Sequence, residues 1–156
     1  MPREIERKFL ILETHPGFIA ALRERPSKIT QGYIHSDSER TVRVRRLDDQ
    51  GFLTIKGKKV GISADEYEYE IPLEEALSML EDMCRTVLHK ERRFIPFGDE
   101  LTIELDYFPQ TGLYLAEVEL PSVEHAIVAP DWFGAEVSDD PAYSNSVIAE
   151  QISLRA

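Results

Sequence analysis

Charged and apolar residues alternate with period two along much of this chain, the signature of strands with one apolar and one polar face. Residues 4–11, Glu4-Ile5-Glu6-Arg7-Lys8-Phe9-Leu10-Ile11, read as a first strand. Further strands are predicted over 28–35, 40–47, 52–58, 65–72, 86–95, 101–108 and 113–120. Asp48-Asp49-Gln50-Gly51 marks a tight hairpin and Ser36-Asp37-Ser38 a turn. Helical spacing predicts a helix over 14–25, with Thr14 as N-cap and Pro16 in its first turn. A second helix over 73–84 puts Leu73, Ala76, Leu77, Leu80 and Met83 on one face. A short helix over 122–129 and a terminal helix over 143–154 complete the elements. Sequential strands joined by short turns make a mainly antiparallel sheet, and hence an α+β fold.

The polar faces are unusual in composition. Arg43 and Arg45 share a face, as do Lys90 and Arg92. Glu68 and Glu70, Glu104 and Asp106, and Glu117 and Glu119 form acidic pairs, while Glu4, Glu6 and Lys8 line the first strand and Lys56 the fourth. A half-solvated sheet explains any one such strand. It fits the set less well, because a wet face ordinarily mixes Thr, Ser and Gln with its charges, and like charges at i and i+2 repel. If the sheet closes on itself, these side chains share one interior, and about eight strands leave room there for a small ligand. Enclosed charges cost several kcal/mol each unless compensated. A polyphosphate with bound Mg²⁺ would compensate both signs at once.

Composition narrows the rest. The 156 residues suffice for one domain, taken as 1–156. With 18 Lys and Arg against 29 Asp and Glu, the net charge of −11 argues against nucleic acid as a partner. A single cysteine excludes an intrachain disulfide. The lack of a long apolar run argues against a membrane span, and the polar start against a signal peptide, so a cytoplasmic protein is expected. A homodimer stays open.

The ordered set Glu4-x-Glu6-x-Lys8, Gln31-Gly32-Tyr33, Arg43-x-Arg45, Lys56, Glu68-x-Glu70, Lys90-x-Arg92, Glu104-Leu105-Asp106 and Glu117-Val118-Glu119 resembles the CYTH domain, or triphosphate tunnel metalloenzyme, superfamily. The resemblance spans essentially the whole chain, with a tail, Trp132-Phe133-Gly134 onward, like that of small bacterial members. It implies an eight-stranded antiparallel β-barrel, a tunnel with a charged interior flanked by helices. It also implies Mg²⁺- or Mn²⁺-dependent chemistry on a small-molecule triphosphate. Lys8, Tyr33, Arg43, Arg45, Lys56, Lys90 and Arg92 would bind substrate, with Glu6, Lys56, Lys90 and Arg92 in catalysis. Glu4, Glu6, Glu68, Glu70, Glu104, Asp106, Glu117 and Glu119 would hold metal or organise the cations. Hydrolysis of inorganic tripolyphosphate to diphosphate and phosphate is the first expectation. Thiamine triphosphatase, class IV-type adenylate cyclase and a non-catalytic polyphosphate- or nucleotide-binding module are the alternatives. The cyclase branch often carries a His-Phe pair ahead of ExExK, and only three residues precede Glu4.

Other groups point nowhere else. No GxxxxGK[ST] loop exists, and His15, His35, His89 and His125 lack metal-ligand spacing. His89 is expected on the apolar side, Cys84 in or near the core, and Trp132 and Phe133 in the core rather than stacked on an organic group. Lys58 and Lys59 read as a solvated basic loop. Residues 131–140 read as a solvated lead-in to the final helix, which is a candidate lid.

Overall fold

The computed structural model describes residues 2–98 and 100–155. Met1, Asp99 and Ala156, part of the expected domain, lie outside the described residues. Strands β1 (Arg3–Ile11), β2 (Ser27–Ser36), β3 (Arg40–Leu47), β4 (Gln50–Gly57), β5 (Ser63–Ile71), β6 (Thr86–Phe97), β7 (Leu101–Phe108) and β8 (Leu113–Glu119) pair antiparallel in the order β5-β4-β3-β2-β6-β7-β8-β1. Pairing of β1 with β5 at Arg3↔Asp65, Glu4↔Ala64 and Ile5↔Ser63 closes the ring. The expected eight-stranded antiparallel barrel is therefore formed. The β3–β4 hairpin turns on Asp48 and Asp49, with Asp48 at φ 49°, a conformation Asp tolerates better than most residues.

A short ninth strand, β9 (Phe133–Glu136), continues the sheet along β1, with Phe9↔Glu136 and Ile11↔Phe133 in register. The lead-in expected over 131–140 is thus partly a paired strand. It is held by the Arg7–Glu136 fork at 2.9 and 2.7 Å and by burial of Trp132 and Phe133. Both rings join Phe9 and Phe18 in an apolar cluster on the outside of the barrel, and they take the core role expected of them.

Helix α1 (Pro16–Ala21) buries Phe18 and Ala21 in that cluster. It is shorter than 14–25, and its cap is His15, whose Nδ1 accepts from Gly17 N at 2.9 Å, not Thr14. Beyond Ala21 the chain tightens into i−3 bonds, Arg23 N to Ala20 O and Glu24 N to Ala21 O, and Pro26 disfavours helical geometry at Arg25. Helix α2 (Leu73–Asp82) packs on the outside of β3 and β4, bringing buried Ala76 against Gly51. Gly32 is required by the same covering layer: a Cβ there would stand 2.5 Å from Cys84 Sγ.

The helix expected over 122–129 does not form. A single turn, His125 N to Ser122 O, leads into extended chain. Pro121 and Pro130 bracket the segment, its Val and Ile are β-branched, and Val123 and Val128 are exposed, so no apolar face drives a helix. His89 lies on the outer face but is exposed, with Nδ1 3.0 Å from Thr30 Oγ1, instead of packing among apolar groups. Among the described residues no helix is long and apolar enough to cross a membrane.

The inward rows change character along the barrel. Glu4, Glu6 and Lys8 run into Leu10, Arg92 and Lys90 into Leu88, Glu104 and Asp106 into Phe108, and Glu119 and Glu117 into Leu115. These apolar ends join Tyr33 in a second cluster that packs on Ile148 and Ala149 of the terminal helix, α3 (Asn145–Arg155). A 3₁₀ turn at Pro141–Tyr143 delivers the chain to it. One end of the interior is thus apolar and the remainder is ionic.

Candidate active site

The ionic part of the interior is a cavity of about 780 Å³. Of the residues expected to act, Glu4, Glu6, Lys8, Tyr33, Arg43, Arg45, Lys56, Glu68, Lys90, Arg92, Glu104, Glu117 and Glu119 line it. Asp106 and Glu70 do not. Glu70 is at the exposed end of its row. Asp106 is fully buried behind the cations.

Asp106 organises the β6–β7 wall. Its carboxylate accepts Lys90 Nζ at 2.9 Å and Arg92 Nε and Nη2 at 2.7 and 2.8 Å. Arg92 Nη1 reaches Glu104 at 3.0 Å, and Nη2 lies 3.7 Å from Glu117. Burial opposes ionisation of Asp106, yet the Arg92 and Lys90 charges hold it below the usual carboxylate range. Burial and the adjacent Arg92 push Lys90 down to about 7. Asn145, the first residue of α3, adds a neutral acceptor 2.8 Å from Lys90 Nζ.

Two carboxylate pairs face the cavity from the other side. Burial, then the charges of Glu117 and Glu4, push Glu6 up to about 8. Its partner Glu117 stays well below the usual range despite burial, because Lys8, Arg92 and Lys90 surround it and Glu6 donates a hydrogen bond to it. Lys8 Nζ lies 3.5 Å from Glu117 and donates to Tyr143 O at 2.9 Å. Nearer the mouth, Lys56 Nζ contacts Glu4 at 2.5 Å and Glu66 at 3.4 Å. Burial, with the hydrogen bond and charge of Glu4, pushes Glu66 up to about 7. Its buried Oε2 has no hydrogen-bond partner. Burial and the Glu4 charge also raise Glu119.

Cation surplus marks the β3 wall. Arg43 and Arg45 make no ion pair among the described residues, whereas Lys8, Lys56, Lys90 and Arg92 each contact a carboxylate. Arg43 Nε is buried without a hydrogen-bond partner. Burial and the neighbouring Arg43 and Arg92 push Arg45 down to about 10. Lys58 and Lys59 border the mouth; Lys59 Nζ donates to Ser138 O at 2.5 Å and Lys58 lies 3.9 Å from Glu39, so this loop is tethered as well as solvated.

The residues suit a divalent cation that takes oxygen ligands. Pairs of carboxylates that share a proton, one with an oxygen that makes only a 3.4 Å ion contact to Lys56, are electrostatically incomplete. Among the described residues no three potential ligands converge on one point, so the eight carboxylates do not form a single chelate. Mg²⁺ commonly binds through one or two carboxylates and completes its shell with water and substrate phosphate. The paired geometry fits that mode.

Sequence reading missed Glu66, although it shares a row with Glu68. It names Gln31 only within the Gln31-Gly32-Tyr33 motif, with no role, and gives Asn145 none, because charge patterning does not reveal neutral residues.

The CYTH domain profile matches residues 2–144. An inorganic triphosphatase of Acetivibrio thermocellus is 42% identical over 149 residues, covering 94% of this chain and 92% of that protein. An inorganic triphosphatase of Nitrosomonas europaea is 32% identical over 154 residues, covering 96% and 98%. The crystal structure of an inorganic triphosphatase superposes with a TM-score of 0.64 at 30% identity, covering 96% of this chain and 95% of that one.

Proposed function

Because this chain belongs to the CYTH domain family, we propose that it hydrolyses inorganic tripolyphosphate to diphosphate and phosphate with Mg²⁺ or Mn²⁺ in a cytoplasmic setting. One observation carries this reading: one cavity sets two arginines that make no ion pair among the described residues, Arg43 and Arg45, against proton-sharing carboxylate pairs. An anion and a divalent cation together satisfy both walls, and neither does so alone. A module that only grips phosphate needs the cations and an acid such as Asp106 to fix them, but has no use for the proton-sharing carboxylate pairs, so catalysis is the better reading.

Arg43 and Arg45 supply planar forks for phosphate oxygens, and Lys8 a point charge. Lys90 and Arg92, fixed by Asp106, stabilise negative charge that builds on the leaving diphosphate when water attacks the terminal phosphorus and the P–O anhydride bond breaks. Tyr33 offers a hydroxyl to a phosphate oxygen. Glu6 with Glu117 and Glu4 with Glu66 are the pairs that would hold the ion, which when bound supplies Lewis acidity and offsets substrate charge. Glu104 and Glu119 flank them, and Lys56 keeps the Glu4 pair in place until substrate arrives.

The test is phosphate release from tripolyphosphate, ATP and thiamine triphosphate with Mg²⁺, Mn²⁺ or EDTA. Tripolyphosphate turnover that EDTA abolishes supports the reading. Tight binding without turnover, or cyclic AMP and diphosphate from ATP, overturns it.

A further inference from the structure

Gln31 is fully buried and lies directly across the β2–β3 ladder from Arg45. Its Oε1 accepts both Arg45 Nε and Nη2, at 3.1 and 3.0 Å. The Nε2 end donates to Tyr33 Oη at 3.0 Å and to Asn145 Oδ1 at 3.2 Å. A flipped amide would set its NH₂ against the guanidinium donors, so the orientation is fixed by its partners. Asn145 in turn accepts Lys90 Nζ. One neutral amide therefore anchors Arg45 and, through a second, reaches Lys90.

Neutrality is the informative feature. Lys8, Lys56, Lys90 and Arg92 are all held by carboxylates, yet the acceptor that locks Arg45 carries no charge. A carboxylate would bind the guanidinium more strongly and cancel it. We propose that Gln31 is a positioning residue that aims Arg45 into the cavity through a neutral acceptor, leaving its full charge to a substrate phosphate. The inference rests on the triphosphatase reading above.

Thermal unfolding and tripolyphosphate kinetics with Mg²⁺ on Gln31→Glu, Gln31→Met, Arg45→Met and the Gln31→Met/Arg45→Met double variant test it. Gln31→Glu keeps the fork and removes the free charge, so KM increases about tenfold or more in a variant that still unfolds cooperatively, although it loses the donation to Asn145. Gln31→Met keeps the charge but loses the fork, raising KM about tenfold with a smaller change in kcat. With Arg45 already replaced, Gln31→Met adds less than about twofold. A wild-type KM in Gln31→Glu, or an equal effect of Gln31→Met with and without Arg45, overturns the proposal. Failure of the wild-type protein to turn over any triphosphate instead overturns the functional reading, and this inference with it.

Discussion

Replacing Asp106 by Asn should unfold the barrel more easily, whereas replacing Glu6 by Gln should stabilise it, although both residues are inward carboxylates on alternating strands. Asp106 accepts three charge-assisted bonds from Lys90 and Arg92. Asn offers one carbonyl oxygen and turns an NH₂ toward two buried cations. Breaking a buried pair from one side costs about 3–5 kcal/mol, a large share of the roughly 5–15 kcal/mol that holds a domain folded. At a typical urea slope the midpoint falls by about 2 M. Glu6 behaves oppositely. Its pKa of about 8 lies above the unfolded value, so its contribution to stability is present below about pH 4.5 and lost as pH rises through 8. Gln mimics the protonated form and escapes that loss. In EDTA, Glu6→Gln should match wild type near pH 4.5 and exceed it by up to about 5 kcal/mol above pH 8. Water in the cavity makes that figure an upper bound. Urea titrations at pH 5, 7 and 8.5 measure both. Stability changes of the same sign in the two variants, or a pH-independent gap for Glu6→Gln, would refute the separation of cation-holding from ion-facing carboxylates.

Mg²⁺ affinity, measured by calorimetry without substrate, should rise from pH 6 to 8.5, because the protons shared at Glu66, near 7, and Glu6, near 8, must leave before an ion binds; a pH-independent affinity contradicts this. Trp132→Ala empties the outer cluster and should cost about 3–5 kcal/mol in urea unfolding, and a loss under 1 kcal/mol would show that β9 is not stapled as described. Gly32→Ala forces a Cβ into Cys84 and should lower the melting temperature even though it removes no contact. Raising salt from 50 to 500 mM should raise KM for tripolyphosphate more than it lowers kcat, since screening acts on capture at the Lys58–Lys59 mouth.

Alternation made the barrel legible because most ring strands repeat it, from Glu4-Ile5-Glu6 to Glu117-Val118-Glu119. It specifies a face but not a depth. Asp106 and Glu104 share a row, yet one is sealed behind cations and the other meets the cavity. Glu66 and Glu70 likewise part company, because β5 closes onto β1 only at Ser63–Asp65, beside Glu66, and Glu70 lies at the far, exposed end. Phe133–Glu136 is too short to show a period, and becomes a strand only because β1 offers a free edge and an apolar cluster beneath it. The spacing that predicts a helix over 14–25 extends past what Pro26 allows. Gln31 carries no charge, so its importance emerges only when Arg45 is found to lack an acid.

A crystal structure with Mg²⁺ and a slowly hydrolysed tripolyphosphate analogue bears most directly on the enclosed ionic chamber. Phosphate density against Arg43 and Arg45, with an ion between those oxygens and either Glu6/Glu117 or Glu4/Glu66, is the expected result. An analogue bound on the outer surface, or phosphates seated away from both arginines, would contradict it.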